Sequence, residues 1–169
     1  MLSVVPGDKP QPAKLVPPID LVDVYTDVAG STLILWDLLA ERSVENDPNI
    51  NISHRKLPRF EDHKNFVRGR PYHKWYLLFS ELYPDQCLGY VNITPKNEIG
   101  IILYKDARDK GVGSAALTAL LAKESPLPAI PSVRPGHFTA NINPRNARSI
   151  ALFTKFGFHA VQTTYARER

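Results

Sequence analysis

The sequence predicts a mixed α/β fold of the α+β type, in which about four helices flank a mostly antiparallel central sheet of about six to seven strands. Three observations carry this prediction. The chain has 169 residues, of which 43% are hydrophobic, so it is long enough for one well-packed domain. In its first half, strand-like segments follow one another through short turns. In its second half, helical and strand-like segments alternate.

The chain is expected to contain an extended tail at residues 1–18 and then one domain, residues 19–169. Residues 1–18 hold five prolines, and each proline locks φ and removes an amide donor, so neither a helix nor a central strand is expected there. The elements predicted after this proline-rich tail are a strand at 19–26, a helix at 33–42 with Ser31 or Thr32 as its N-cap, a helix at 60–67, and strands at 72–81, 86–94 and 98–104.

The second half is predicted to alternate helix and strand. Apolar residues recur at helical spacing after the glycines of residues 111–113, and Gly157 marks the end of a later helix. The predicted elements are a helix at 111–124, a strand at 137–142, a helix at 144–156 with Asn143 as N-cap and Pro144 in its first position, and a strand at 158–165.

Charge and cysteine content limit the class of function. Lys and Arg number 21 and Asp and Glu number 17, which gives a net charge of +4. That excess suits an anionic ligand but is too small to indicate nucleic acid. A single cysteine, Cys87, excludes an internal disulfide framework and a cysteine-based zinc site. No apolar run approaches the ~20 residues that span a bilayer, and no secretory signal is readable. We therefore expect a cytoplasmic protein without a membrane or nucleic-acid partner.

A basic, glycine-bearing loop between a strand and a helix is the most informative segment. It reads Arg-Asp-Lys-Gly-Val-Gly over residues 108–113 and leads directly into the helix. The first amides of a helix have no intrahelical partner and carry partial positive charge, while Gly111 and Gly113 allow close approach to the backbone. Arg108 and Lys110 add full charges, so the loop can bind a diphosphate. The alternative is a helix start relieved by glycine, and neither a Walker loop nor GxGxxG is present.

Two segments resemble one known family. The loop at 108–113 resembles the Q/R-x-x-G-x-G/A signature of the GCN5-related N-acetyltransferase (GNAT) superfamily. The second segment, ANINPRNARSIALFTKFGF at 140–158, resembles that superfamily's second cofactor segment, N-x-x-(A/S)-I-x-L-(Y/F)-x-K-x-G-F. Both stand in the expected order and spacing, and the resemblance covers about residues 72–166. Residues 19–70 agree only in the order of their elements.

The resemblance implies that acetyl-CoA is a cosubstrate. It places the pyrophosphate on the glycine loop, the pantetheine arm beside the end of the strand at 98–104, and the acyl group where that strand parts from the next. A break in the strand is expected at Gly100 or at 104–105. The residues implied in binding the coenzyme are Ile102, Leu103, Tyr104, Arg108, Asp109, Lys110, Gly111, Val112, Gly113, Ser114, Asn143, Asn146 and Phe153. The alternative role of both asparagines is helix capping.

The resemblance also implies catalytic roles. A free primary amine has a pKa near ~10 and attacks only when neutral, so a base that works directly or through water is useful. Glu98 stands where several family members carry their base; the alternative is a solvated carboxylate at a strand start. Where many members have a tyrosine acid this chain has Phe153, which carries no hydroxyl. Tyr104, Tyr165 or water then protonates the leaving thiolate. No metal is implied.

The sequence says less about the acceptor site than about the coenzyme site. Residues 54–74 carry seven Lys or Arg against Glu61 and Asp62. This excess suggests either a basic wall for an anionic acceptor, such as a nucleotide-linked amino sugar or an acidic metabolite, or a solvated helix face. The histidines of this segment lack the short spacing of a metal site. Trp75 and Tyr76 are expected to face opposite sides of a strand. The leading hypothesis is acetylation of a small-molecule amine by a monomer or homodimer. The alternatives are a protein N-terminal or lysine acetyltransferase and a non-catalytic acyl-CoA-binding module.

Overall fold

A computed structural model describes residues 18–45 and 57–163. The described residues form four strands, four α-helices and one short 3₁₀ helix. The proline-rich tail, apart from Pro18, lies outside them. In chain order the elements are β1 (Asp20–Asp23), α1 (Val28–Glu45), α2 (Phe60–Arg68), β2 (Lys74–Phe79), β3 (Gly89–Ile93), β4 (Ile99–Leu103), the 3₁₀ helix (Lys105–Ala107), α3 (Val112–Lys123) and α4 (Ala147–Lys155).

The sheet is an antiparallel meander in which each strand pairs with the next one along the chain, in the order β1-β2-β3-β4. The predicted antiparallel meander of β2, β3 and β4 is confirmed. The turn from β3 to β4 is short, as predicted, whereas β2 ends earlier and β3 begins later than predicted, so residues 80–88 connect them. The register between β3 and β4 is continuous from the pair Ile93–Ile99 to the pair Gly89–Leu103. Gly100 therefore sits in a regular ladder and carries no bulge.

The expectation of six to seven strands is wrong for the described residues, which contain four. The segment 137–142 makes only one parallel bridge, between Thr139 and Glu98. The amide of Ile99 donates to the carbonyl of Thr139 at 2.7 Å, and the chain then leaves β4. Residues 158–163 form no strand. A strand needs a neighbour with a run of backbone hydrogen bonds, and residues 137–142 make only a single bridge. Residues 164–165 of that prediction lie outside the described range.

The start of α1 differs from the prediction because another side chain caps it. The helix begins at Val28, and the carboxylate of Asp27 accepts a hydrogen bond from the amide of Gly30 at 3.0 Å. Ser31 and Thr32, the predicted caps, are buried within the helix. An aspartate three residues before the amide it binds is a normal N-cap, and it lengthens the helix by a turn at this end.

The start of α4 also lies later than predicted. Asn146, rather than Asn143, is the N-cap, since its side-chain oxygen accepts from the amide of Ser149 at 3.0 Å. The Asn143 side chain accepts from the amide of Arg145 at 2.9 Å instead, which forms a turn around Pro144. Asn146, which directly precedes the first helical residue, therefore caps α4, and Asn143 does not.

The sheet is covered on both faces, so the core has two layers. Alternate residues of β2 and β3 point to opposite sides. One layer joins the sheet to α3 and α4, and the other joins it to α1 and α2. The fully buried members of the first layer are Leu78, Leu88, Val91, Ile93, Val112, Ala116, Leu117 and Leu120, and those of the second are Val24, Leu35, Leu38, Val67 and Leu77.

Asn97 holds the turn before β4 to two later parts of the chain. It is fully buried and has φ of +63°. Its Nδ2 donates to the carbonyls of Leu127 and Pro135, each at 2.8 Å, and its Oδ1 accepts from the amide of Leu127 at 2.8 Å. Its own carbonyl accepts from the amide of Thr139 at 2.9 Å. The side chain of Asn97 therefore fixes the connector after α3, and its backbone carbonyl sets Thr139 beside the start of β4.

We expect Asn97→Ala to lower the free energy of unfolding by about 2–4 kcal/mol. It removes three hydrogen bonds to half-buried backbone groups of Leu127 and Pro135 and places alanine in a left-handed conformation. Urea denaturation followed by circular dichroism measures the loss. Asn97→Gly is the matched control: it removes the same hydrogen bonds but tolerates the positive φ, so it should cost about 1 kcal/mol less. Equal stability of wild type and both variants would contradict this role.

Candidate active site

A cavity of about 700 Å³ opens on the side of the sheet that faces α1 and α2. Its walls are α1 and α2 on one side and the stretch from Asn141 to Phe153 on the other, and side chains of β2, β3 and β4 form its floor. This is the place where the chain after Thr139 moves away from β4. The departure of one segment from the edge strand therefore creates the opening.

The backbone of Ile101 faces this gap. In β4 the residues that pair with β3 alternate with residues whose amide and carbonyl point to the outer edge. Ile99 uses its outward amide on Thr139, and the carbonyl of Leu103 accepts from the guanidinium of Arg108 at 3.0 and 3.1 Å. Ile101 lies between them with no described strand beside it. An extended ligand can add to the sheet here as a strand would.

The glycine loop ends in an uncapped helix start. Gly111 is the residue before α3 and has φ of +82°, a left-handed conformation that a side chain would strain. No side chain caps the helix, and the first intrahelical bond runs from the amide of Ala115 to the carbonyl of Gly111 at 3.0 Å. The amides of Val112, Gly113 and Ser114 precede that bond. They form the anion-binding end of the helix dipole.

The charged side chains of the loop are engaged in different ways. The guanidinium of Arg108 makes a bidentate pair with Glu45 at 2.7 and 2.9 Å, and this bond lowers the pKa of Glu45. Arg108 thus ties the loop to the end of α1, where the sequence alone suggested a free charge. Asp109 pairs with Arg148 at 3.3 Å. The ammonium of Lys110 lies 5.5 Å from the centre of the Tyr83 ring.

Lys155 adds a positive charge that sequence reasoning missed. Its Nζ lies 3.4 Å from the hydroxyl of Ser114, in the first turn of α3. The lysine belongs to the last turn of α4, 41 residues further along the chain. Only the packing of the two helices brings it to the loop, although it is part of the second sequence segment.

Two side chains hold the carboxylate of Glu98 at the edge of the cavity. Oε1 accepts from Nδ2 of Asn141 at 3.1 Å, and Oε2 accepts from the hydroxyl of Thr94 at 3.3 Å. All three residues line the cavity. Thr94 and Asn141 were not identified from the sequence, and the only signal was a polar residue at the end of each strand-like segment. The carboxylate is positioned rather than freely solvated.

The hydroxyl of Tyr104 is engaged with α1. It donates to the carboxylate of Asp37 at 3.0 Å and lies 3.1 Å from the carbonyl of Ile34. Burial raises the pKa of Tyr104, and the hydrogen bond to Asp37 raises it further. Tyr104 is not among the described residues that line the cavity. Tyr165, the other tyrosine considered, lies outside the described residues.

The second sequence segment forms one wall of the cavity. Asn143, Asn146 and Phe153 all line it. Phe153 is buried and stands edge to face against Phe158, with ring centres 5.1 Å apart. The backbone of Ile102 pairs with Tyr90 of β3, while its side chain also lines the cavity. The structure therefore brings Ile102 and the second segment to the same cavity as Glu98.

Lys and Arg side chains of the described part of segment 54–74 do not line this cavity. Within its described part, the residues that line the cavity are Leu57, Pro58, Asp62, His63, Phe66 and Tyr72. Lys64 pairs with Glu61 at 3.3 Å, Lys74 with Glu124 at 3.6 Å, and Arg70 lies over the ring of Tyr25 at 5.0 Å. Each of these three cations is thus paired with a carboxylate or a ring that does not line the cavity.

Aromatic rings line the cavity where the sequence suggested a basic wall. Trp75 lines the cavity with its ring centre 4.7 Å from that of Tyr72, 5.6 Å from Tyr90 and 6.2 Å from Phe66. Tyr76 lies on the opposite face, in the core against α3. The expectation that Trp75 and Tyr76 face opposite sides is confirmed.

His63 links α2 to α1 at the cavity wall. It is 4% exposed, and its Nε2 lies 3.3 Å from the carbonyl of Thr32. Burial lowers the pKa of His63, so the neutral imidazole is favoured. Among the described residues no group of three His, Cys, Asp or Glu side chains is placed to hold a metal ion. No helix in the described ranges is both long and apolar enough to cross a bilayer.

Comparison with known proteins gives one family. The sequence model of the acetyltransferase (GNAT) domain matches residues 41–159, and no curated protein sequence matches the chain. Solved structures share the fold. An acetyltransferase from Thermus thermophilus has 21% identity and a TM-score of 0.60, over 87% of this chain and 90% of its own. Spermidine N-acetyltransferase from Vibrio cholerae, in complex with CoA and spermine, has 12% identity and a TM-score of 0.60, over 89% of each chain. The N-acetyltransferase PseH from Campylobacter jejuni has 15% identity and a TM-score of 0.56, over 88% of this chain and 92% of its own.

The burial of His63 predicts a loss of stability in mild acid. Since its folded-state pKa is below the ordinary value of 6.5, the unfolded chain binds the proton more readily. The stability contributed by neutral His63 is present above that value and is lost as the pH falls through it toward the folded-state pKa. Urea denaturation at pH 7.5 and 5.5 should show a smaller drop in His63→Gln than in wild type. His73→Gln, at an exposed position, is the control; a drop unchanged by His63→Gln would contradict the prediction.

Proposed function

The chain belongs to the GNAT acetyltransferase family, and on that basis we propose that it transfers an acetyl group from acetyl-CoA to the primary amine of a small molecule. One observation carries the proposal: a single cavity joins the gap beside β4, the positioned carboxylate of Glu98 and the wall that contains Asn146 and Phe153. The three parts supply a place for the coenzyme arm, a base and a contact surface for the acyl end.

The coenzyme fits the residues present. We propose that its diphosphate binds the amides of Val112, Gly113 and Ser114, with Lys110 and Lys155 adding charge. Asp109 and Arg108 shape this loop through their ion pairs. The arm lies along the outer edge of β4, from Leu103 past Ile101, where the backbone faces the gap. The side chains of Ile102, Asn143, Asn146 and Phe153 complete its channel.

The chemistry is direct attack of the amine on the thioester carbonyl. The amine nitrogen loses a proton to Glu98, directly or through a water, and its lone pair forms the new bond to the acyl carbon. The bond from carbon to sulfur breaks, and the sulfur leaves as a thiolate. Thr94 and Asn141 keep the carboxylate aimed at the cavity, since each binds a different oxygen. Much of the rate comes from holding both reactants in one cleft.

The thiolate can leave without a general acid to protonate it. A thiol has a pKa near ~8.5, so a thiolate can leave and then take its proton from water. Phe153 has no proton to give. Tyr104 stays a prediction as the proton donor, although its hydroxyl is bound to Asp37 and Ile34.

A thiol-release assay with acetyl-CoA against small amines, amino sugars and peptides tests the proposal. Release with a small amine supports it. Preferred release with peptides favours a protein acetyltransferase, and coenzyme binding without release to any acceptor favours a non-catalytic acyl-CoA-binding module. The panel includes polyamines, because the similar Vibrio structure is a spermidine N-acetyltransferase in complex with CoA and spermine. No binding of acetyl-CoA in titration calorimetry would remove the basis of the proposal.

The glycine loop predicts a charge-dependent loss of coenzyme affinity. Gly111→Glu and Gly111→Ala strain the same left-handed backbone, but only glutamate brings a negative charge to the diphosphate. We expect Gly111→Glu to bind acetyl-CoA at least about tenfold more weakly than Gly111→Ala, since charges a few ångströms apart interact by more than ~1.4 kcal/mol at a protein surface. Titration calorimetry measures both. Equal affinities would show that the diphosphate does not bind there.

Glu98 predicts a loss of turnover without loss of coenzyme binding. Glu98→Gln keeps the shape of the side chain but cannot accept a proton, so kcat should fall by about 100-fold or more. The affinity for acetyl-CoA should change little, because Glu98 lies at the acceptor end of the gap. Glu61→Gln is the matched control, an exposed carboxylate paired with Lys64. A Glu98→Gln variant with wild-type kcat would exclude Glu98 as the base.

A further inference from the structure

A cross-strand row on the cavity floor defines the acceptor end. Trp75 of β2 pairs with Asn92 of β3, and Asn92 pairs with Gly100 of β4. Residues in such a row share one face of the sheet. All three line the cavity, together with Glu98, which is two residues before Gly100 on the same face.

The absence of a side chain at Gly100 makes room for the side chain of Asn92. A Cβ at position 100 would lie 2.5 Å from Oδ1 of Asn92, so any other residue would press on this amide. Asn92 is 5% exposed and lines the cavity. Its side-chain amide can both donate and accept a hydrogen bond, so a ligand in the cavity can bind it. The row thus presents one polar group to whatever occupies this end.

The surroundings of that group are apolar. Phe66, Tyr72 and Trp75 stand edge to face, with ring centres 4.7 to 6.2 Å apart. Nε1 of Trp75 is buried and has no hydrogen-bond partner among the described residues. Since this nitrogen is covered, the part of the indole that lines the cavity consists of carbon atoms. Phe66 is 48% exposed and leaves ring surface free for a ligand.

The charges of the described cavity lining do not favour an anionic acceptor. The charged side chains among its described lining residues are Arg42, Asp62 and Glu98. Burial lowers the pKa of Arg42, whose neighbours include Glu45 and Tyr90. Tyr90 lies two residues before Asn92 on β3, on the side away from Glu98, so Arg42 stands on the far side of the floor from the base. A phosphate or carboxylate near Glu98 would meet repulsion and little compensation.

We propose that the acceptor is a primary amine on an uncharged apolar body, aromatic or alkyl, which lies along the row Trp75–Asn92–Gly100. Its body packs against Phe66, Tyr72 and Trp75, and its nitrogen lies between the amide of Asn92 and the carboxylate of Glu98. This inference rests on the proposed function, since it assigns the acceptor of the same reaction. Strands lie about 4.8 Å apart and residues rise about 3.4 Å, so the Cα atoms of Glu98 and Trp75 are roughly 12 Å apart. That distance suits one ring or a few methylene groups.

The test compares matched acceptors on the wild-type protein by thiol release. Phenethylamine and hexylamine carry the apolar body. Phenylalanine adds a carboxylate to the same ring and amine, glucosamine 6-phosphate is polar and anionic, and spermidine has a cationic body. We expect kcat/KM for phenethylamine or hexylamine to exceed that for each of the other three by at least about tenfold. A preference for phenylalanine, the sugar phosphate or spermidine would overturn the inference and leave the proposed function standing.

Two phenylalanines of α2 provide the variants. Phe66→Ala should raise KM for the preferred apolar amine by about three- to tenfold, because one ring contact is lost, with KM for acetyl-CoA unchanged. Phe60→Ala is the control; Phe60 packs against Trp36 at 5.4 Å and does not line the cavity. Equal KM values for the amine in the two variants would show that the ring of Phe66 does not contact the acceptor. Acetyl-CoA binding without thiol release to any amine would instead overturn the proposed function, and the inference with it.

Discussion

The site depends on one short contact, the bridge between Thr139 and the start of β4. Asn97 sets this bridge, since its side chain holds the connector on both sides of the turn and its carbonyl binds the amide of Thr139. Beyond Thr139 the chain leaves the edge strand. That single departure exposes the backbone of Ile101, brings Asn141 to Glu98 and opens the cavity. A continuous fifth strand would have closed the same edge.

The two ends of the site are held by different kinds of interaction. At the glycine loop, the ion pair of Arg108 with Glu45 joins the loop to α1, while the carbonyl of Leu103 joins it to β4. These bonds leave the amides at the start of α3 as the anion-binding groups. At the edge of the cavity, hydrogen bonds from the uncharged side chains of Thr94 and Asn141 orient the carboxylate of Glu98. In the proposed reaction, the amides at the start of α3 would bind the charged cosubstrate and the oriented carboxylate would act on the amine.

The charge of a segment and the charge of its cavity face are different quantities. Residues 54–74 are strongly basic in sequence. The helix α2 and the turn after it nevertheless present Asp62, His63, Phe66 and Tyr72 to the cavity. A helix places residues three or four apart on one face, so a basic segment can contribute an aromatic and neutral wall. Inferences about the acceptor therefore follow from the lining residues and not from local net charge.

The sequence by itself determined the meander, the helices on both faces, the glycine loop and the family. The first three rest on local patterns: alternation, turns between strands, and glycine before a helix. The family rests on the resemblance of the segments at 108–113 and 140–158. Tertiary structure decided the number of strands, the helix caps at Asp27 and Asn146, and the partners of Arg108 and Tyr104. It also brought Lys155 to Ser114, Asn141 to Glu98, and Trp75 beside Asn92. These contacts join residues distant in the chain, or settle a competition between neighbouring caps, and no local pattern encodes which of the available partners packing will bring within bonding distance.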